Sequence, residues 1–105
     1  MRSKTRKPER ADSLTEYRIF ETDEYLKKLK KFQQKDLFFL ESKLRTHIYP
    51  QLKKQPYFGK NIKKLKGYTP DLWRYRIGKF RLFFTVSETE KIVYILTIDQ
   101  RKDTY

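Results

Sequence analysis

Residues 72–86 read LWRYRIGKFRLFFTV, and this stretch decides the fold. Apolar side chains alternate with mostly basic ones before and after Gly78-Lys79, which is the pattern of two strands that each have one buried face. A two-residue turn with glycine first is typical of a type II′ hairpin. The resulting register predicts the cross-strand pairs Arg76 with Arg81, Tyr75 with Leu82, Arg74 with Phe83 and Trp73 with Phe84.

The predicted hairpin has one apolar face and one basic face. Arg74, Arg76 and Arg81 share the basic face with Phe83, so planar phosphate-binding groups lie beside an aromatic stacking surface. Like charges directly opposite in a sheet destabilise it by roughly a few tenths of a kcal/mol. Folding alone gives no reason to oppose Arg76 and Arg81, and a bound anion would explain the pair.

A third strand follows the hairpin. After the polar SETEK, residues 92–101 read IVYILTIDQR, which is apolar enough for a central strand and ends in Asp99, Gln100 and Arg101. Asp99 and Arg101 are two residues apart and fall on one face, where Arg101 joins the hairpin arginines. Upstream, Lys63, Lys64 and Lys66 extend the positive field towards the same strand.

The N-terminal half predicts one strand and two helices. Residues 17–20 form the strand, and Leu26, Leu29 and Phe32 lie at helical spacing behind the possible caps Thr22 and Asp23. The second helix is expected to begin with Asp36 as N-cap and to bury Leu37, Leu40, Leu44 and Ile48.

Proline and the order of the elements complete the prediction. Pro50 should end or kink the second helix at Tyr49, with a loop over residues 55–61. The lone His47 in this helix is expected to be packed or solvated rather than catalytic. The predicted fold is α+β, with the order β-α-α-β-β-β and both helices on one face of a small, mainly antiparallel sheet.

The amino-acid composition limits which partners and which kinds of site the protein can have. The 105 residues allow one domain, and 26 Lys and Arg against 13 Asp and Glu give a net charge of +13, which favours a polyanionic or acidic partner. Absence of cysteine and a single histidine exclude disulfides, thiol nucleophiles and Cys/His zinc sites, and a metal would need clustered carboxylates. The sequence shows no membrane span or signal peptide, so we expect a cytoplasmic protein.

The chain divides into a tail and a domain. Residues 1–13 are basic and almost devoid of apolar side chains, so we expect a disordered tail there and the folded domain over residues 14–105. The tail is either a solvated extension or an electrostatic arm for nucleic acid.

The C-terminal half resembles a known family. IKKLKGYTPDLWRYRIGKFRLFFTV and IVYILTIDQRKDTY are similar to the RelE/ParE toxins of toxin–antitoxin modules, with the L-K-G element, the R-x-R-x-G-x-[YF]-R hairpin and the closing R-x-x-x-Y. The similarity runs from about Tyr17 to Tyr105. For the RelE branch it implies an endoribonuclease that enters the ribosomal A site and cuts mRNA without metal or cofactor, by attack of the 2′-hydroxyl on the adjacent phosphate.

The resemblance also implies residue roles. Arg81 resembles the arginine that stabilises the transition-state phosphate, Arg101 resembles the arginine of the last strand, and Tyr105 resembles the closing tyrosine that orients or stacks the substrate. Arg74 and Arg76 stand where the RelE branch commonly has lysines, one of which is thought to take the 2′-hydroxyl proton. Lys63, Lys64, Lys66, Phe83 and Gln100 would then contact substrate.

The residue that acts as the general base is not identified by the resemblance. Arginine remains protonated to about pH 12 and is a poor base, and Gln100 stands where related toxins often have histidine. Asp99, Asp103 or Tyr105 could serve, although a carboxylate among arginines is better suited to an orienting ion pair.

The resemblance leaves three functions and implies one partner. The ParE branch has the same fold but poisons DNA gyrase, and a non-catalytic RNA-binding module or degenerate toxin is the third reading. Every toxin reading implies an acidic antitoxin, encoded by a neighbouring gene, that forms a hetero-oligomer with the toxin.

Overall fold

The computed structural model describes residues 16–101, so the predicted tail and Tyr105 lie outside the described residues. Along the chain the elements are β1 (Arg18–Glu21), α1 (Asp23–Lys30), α2 (Gln34–Lys43), a π-helical turn (Leu44–Ile48), α3 (Tyr49–Lys54), β2 (Ile62–Leu65), β3 (Leu72–Ile77), β4 (Phe80–Ser87) and β5 (Ile92–Gln100). No helix within this range is long and apolar enough to cross a membrane.

The five strands form one sheet in the order β1-β5-β4-β3-β2. The β2–β3, β3–β4 and β4–β5 pairs are antiparallel, whereas β1 runs parallel to β5. The α+β class and the mainly antiparallel sheet are confirmed, and β5 is an interior strand as its apolar sequence predicted. The predicted order lacked β2, because IKKL does not alternate and only one of its edges is paired.

The helices and one face of the sheet enclose the core. Tyr25 and Leu29 of α1 and Leu40 of α2 are buried against side chains of β3, β4 and β5. Burial along the hairpin alternates as predicted, with Tyr75, Ile77, Phe80, Leu82 and Phe84 all buried. Trp73 lies at the edge of this core and is half-buried, with its ring centroid 5.1 Å from that of Tyr57.

The second helical segment differs from the prediction at both ends. Gln33, not Asp36, is the N-cap of α2, and Asp36 forms an ion pair with Lys79 in the hairpin turn at 3.7 Å. The chain also stays helical beyond Pro50 to Lys54. Proline lacks an N–H and crowds the preceding turn, and the π-helical turn that ends two residues before it, at Ile48, widens the backbone there. The predicted loop over residues 55–61 is confirmed.

A carboxylate ties three surface segments together. Glu88 Oε2 accepts a hydrogen bond from the Tyr17 hydroxyl at 2.6 Å and another from Tyr57, and its Oε1 accepts one from Lys91 Nζ at 2.8 Å. These donors, led by Lys91, lower the pKa of Glu88 to about 2. Glu88 therefore links the start of β1, the 55–61 loop and the β4–β5 connection.

Candidate nucleic-acid interface

The hairpin places three arginines on the face of the sheet opposite the helices. The register pairs Arg76 with Arg81 and Arg74 with Phe83, as the sequence predicted. Gly78 has a φ of 58°, a left-handed conformation that glycine adopts without strain and that a type II′ turn requires at its first position. We call this side of the sheet, with Arg74, Arg76, Arg81 and Arg101, the arginine face.

A β-bulge in β5 brings Arg101 to the arginine face. Phe83 pairs with Thr97 but Phe84 pairs with Ile95, so Leu96 is an extra residue. Without it, the alternation that buries Ile95 would turn Thr97 and the next odd-numbered residues towards the helices. The bulge reverses the alternation, and the Arg101 amide donates to Lys79 O at 2.6 Å beside the hairpin turn.

Thr22 holds this bulge. Its hydroxyl lies 2.8 Å from Ile95 O and 3.0 Å from Leu96 O, and also accepts the Tyr25 amide as the N-cap of α1. The Thr22 amide donates to Ile95 O as well, at 3.2 Å. One of the two predicted caps thus sets the strand geometry that positions the arginine face, a role that the sequence pattern did not indicate.

Asp99 forms the orienting ion pair that the sequence analysis favoured. Arg81 Nε and Nη2 donate to Asp99 Oδ1 and Oδ2 at 3.0 and 3.2 Å, in the bidentate geometry of a guanidinium on a carboxylate. Asp99 thus offsets part of the repulsion between Arg76 and Arg81. Among residues 16–101, Arg76 makes no ion pair.

Arg74 is partly buried among the other cations of the arginine face. Its Nε is buried and has no hydrogen-bond partner within the described part of the chain. Burial and then the positive charges of Arg76, Arg81 and Arg101 lower its pKa below the usual arginine value. A buried donor among like charges is costly to leave unpaired, so this geometry is suited to an anion.

Phe83 supplies an apolar surface among the cations. The guanidinium carbon of Arg81 lies 5.8 Å from the Phe83 ring centroid, and Phe83 is half-buried between Arg74 and Thr97 in the sheet. The Thr97 hydroxyl is buried without a hydrogen-bond partner among residues 16–101. Thr97 was not predicted, because only the bulge brings it to this side.

The remaining candidates do not all reach the arginine face. Lys63 pairs with Arg74 and shares its side of the sheet, whereas Lys64 pairs with Trp73 on the helix side and contacts Asp71 at 3.5 Å. Lys66 lies in the turn after β2.

Two further residues lie outside the arginine face. Gln100 pairs with the buried Phe80 and lines a surface pocket with Lys28 of α1 and Lys31, the C-cap of that helix. His47 is exposed, so of the two placements that the sequence predicted, packed or solvated, the structure shows the solvated one. Within residues 16–101, no three His, Asp or Glu side chains gather to hold a metal ion.

Comparison with known proteins identifies a family. Residues 18–105 match the model described as ParE toxin of type II toxin–antitoxin system, parDE. No curated protein sequence matches the chain.

Solved structures share the fold. The archaeal RelE–RelB complex from Pyrococcus horikoshii has a TM-score of 0.64 at 22% identity, covering 84% of this chain and 98% of that one. The RelBE2 complex from Mycobacterium tuberculosis gives 0.65 at 21%, covering 82% and 99%. The isolated Escherichia coli RelE toxin gives 0.63 at 20%, covering 84% and 87%. At these identities the similarity establishes the fold.

Proposed function

Since this chain belongs to the RelE/ParE toxin superfamily of type II toxin–antitoxin systems, we propose that it is a RelE-type endoribonuclease that cuts mRNA in the ribosomal A site. The observation that carries the proposal is the convergence of Arg74, Arg76, Arg81 and Arg101 on one face, where among the described residues Asp99 forms an ion pair with Arg81 alone. Such a face binds phosphate, and Phe83 offers a base a stacking surface.

The proposed reaction needs positive charge at the phosphate. The 2′-oxygen attacks the adjacent phosphorus while the bond to the 5′-oxygen breaks, which leaves a cyclic phosphate and a 5′-hydroxyl; the proton lost by the 2′-hydroxyl is balanced by the one that the 5′-oxygen gains. Negative charge grows on the non-bridging oxygens in the transition state, and preorganised guanidinium donors stabilise it. We assign this role to Arg81 and Arg101, with Arg74 and Arg76 as supporting donors.

Asp99 fits an orienting role rather than that of the general base. Both of its oxygens are held by Arg81, at 3.0 and 3.2 Å, which fixes the guanidinium plane beside Phe83. Tyr105 is retained as the residue that orients or stacks the substrate, and Tyr105→Phe should therefore keep most of the activity.

The proposed partner is an acidic antitoxin from a neighbouring gene. The net charge of +13 and the arginine face favour an acidic, flexible segment that covers the cations in a toxin–antitoxin hetero-oligomer. The similar structures from P. horikoshii and M. tuberculosis are toxin–antitoxin complexes. We place both proteins in the cytoplasm.

A ParE-like action on DNA gyrase is the second candidate, because the matching family model is that of ParE toxins. Induced expression in a heterologous bacterium separates the two. Rapid loss of translation with codon-positioned mRNA cuts supports the ribonuclease, whereas filamentation with DNA damage supports gyrase inhibition. Unimpeded growth would indicate the third reading, a non-catalytic RNA-binding module or a degenerate toxin.

Arg81→Ala tests the chemistry directly, with Arg45→Ala as a matched control on the exposed surface of the π-helical turn. Loss of one transition-state donor should reduce cleavage on programmed ribosomes by roughly 100- to 1000-fold, and Arg101→Ala should do the same. Arg45→Ala should cut like the wild type. Full cleavage by a folded Arg81→Ala protein would overturn the ribonuclease assignment.

A further inference from the structure

Besides the arginine face, the protein has a basic cleft. It lies between the free end of β3 and the helical segment formed by α2 and the π-helical turn that follows it. Its volume is about 210 Å³, and its polar lining comes from Lys43, His47, Asn61 and Arg76. The cleft exists because β2 begins at Ile62, so the end of β3 extends beyond its neighbour: the last backbone hydrogen bond here joins Arg76 N to Asn61 O, at 2.9 Å.

One stripe of the helix forms a wall of this cleft. Phe39, Lys43 and His47 follow at four-residue intervals, which puts them on one helical face, and all three are exposed. Phe39 presents 41% of its surface to solvent next to a lysine and opposite an arginine, where it covers no core. The Asp36–Lys79 ion pair fixes this helix against the hairpin turn. An exposed aromatic ring between cations is the arrangement that stacks a nucleobase while its phosphate is neutralised.

The hydrogen bonds of Thr46 define the chemistry of His47. The Thr46 hydroxyl has one proton and donates it to Ser42 O at 2.7 Å. Its second contact, to His47 Nδ1 at 2.7 Å, is therefore a bond in which Nδ1–H donates to the hydroxyl oxygen. When the ring is neutral, its lone pair is on Nε2, which makes that atom the hydrogen-bond acceptor of a residue that lines the cleft. The lysine and the arginine beside it offer only donors.

The cleft is continuous with the arginine face through Arg76. This residue lines the cleft and pairs with Arg81 across the hairpin, and it makes no ion pair among residues 16–101. A strand of RNA bound at Arg81 would have its neighbouring nucleotide at the free end of β3.

We propose that this cleft binds the nucleotide next to the phosphate held by the arginine face. The inference rests on the proposed function. This nucleotide lies on the 3′ side of the cleaved bond: its base stacks on Phe39, its 3′-phosphate lies between Lys43 and Arg76, and its 2′-hydroxyl, which is not the attacking group, donates to His47 Nε2. That last contact distinguishes RNA from DNA, because DNA has no hydroxyl to donate.

The test compares variants with matched neighbours on the same helix. Phe39→Ala is paired with Phe38→Ala, which removes a ring that is 76% exposed and does not line the cleft. Lys43→Gln is paired with Lys35→Gln, another exposed lysine of α2. Affinity for a short single-stranded oligoribonucleotide, and for the DNA of the same sequence, is measured by fluorescence anisotropy. Cleavage by the full chain is followed on programmed ribosomes.

Phe39→Ala and Lys43→Gln should each weaken RNA binding about 5- to 50-fold, in line with the energy of one stacked base or one phosphate contact. They should raise KM and leave kcat unchanged, while the two controls match the wild type. His47→Ala should weaken RNA binding and leave DNA binding as it was. Equal weakening on both would overturn the 2′-hydroxyl assignment.

The outcomes separate the cleft from the proposed function. If the wild type cuts mRNA and the Phe39 and Lys43 variants behave like their controls, the cleft is not a subsite and the ribonuclease assignment stands. If the wild type does not cut but those variants still lose RNA affinity, the cleft is an RNA site and the ribonuclease assignment fails. A wild type that neither cuts nor binds RNA overturns both.

Discussion

Replacing Thr22 by valine tests whether one hydroxyl holds both α1 and the bulge that carries Arg101. The valine keeps the shape of the side chain and removes the N-cap acceptor of the Tyr25 amide, which costs about 1 kcal/mol. It also removes the hydroxyl donor shared by Ile95 O and Leu96 O, worth about another 1 kcal/mol. Ile95 O keeps the Thr22 amide, so this second loss is partial.

The sum is about 2 kcal/mol, which in a domain of this size lowers Tm by about 10 °C. Thr22→Ser is the control, because serine keeps the hydroxyl and caps helices as well as threonine does. We expect its Tm within about 3 °C of the wild type. Thermal melts followed by circular dichroism, with urea titrations for the free energy of unfolding, make the measurement. If the valine and serine variants were equally stable, Thr22 would not hold the bulge.

Three further predictions concern the core, the surface and the tail. Trp73→Ala should lower the free energy of unfolding by about 3 kcal/mol, the lower end of the range for buried aromatic residues, because the ring is half-buried against Tyr57. A urea titration measures this loss. The pKa of Glu88 in the folded protein is about 2, below its ordinary value of 4.5. The contribution of Glu88 to stability is therefore present above pH 4.5 and is lost as the pH falls towards 2. Glu88→Gln should make the melting temperature depend less on pH between these two values. Deleting residues 1–12 should shift Tm by less than about 3 °C, and loss of cooperative unfolding would show that the tail belongs to the fold.

The arginine face also bears on stability. Repulsion from Arg76 alone suggests that Arg81→Ala would stabilise the protein by a few tenths of a kcal/mol. The structure adds the Asp99 pair, whose side chains are 37% and 40% exposed and which is worth about 0–1 kcal/mol at such exposure. The two effects oppose each other, so the variant should melt close to the wild type, and its loss of cleavage would report chemistry rather than unfolding.

The hairpin and its arginines could be read from the sequence because their information is local. Strict alternation around Gly78-Lys79 leaves one register that buries Tyr75, Leu82 and Phe84 together, and a slip by one residue would place every arginine in the core. The same pattern put Arg74, Arg76 and Arg81 on the open face. The sequence favoured an orienting ion pair for a carboxylate among these arginines, and the structure shows that Asp99 forms it with Arg81.

The rest depended on contacts distant in the chain. An apolar run such as IVYILTI gives no sign of a bulge at Leu96; Thr22, more than seventy residues earlier, supplies hydrogen bonds to the carbonyls there. Strand β2 has no alternation of its own and forms because β3 offers an unpaired edge. Helix continuation through Pro50 required a π-helical turn whose stability comes from the burial of Leu44 and Ile48. Local sequence set which side chains share a face, and long-range hydrogen bonding and packing decided where each face came to lie.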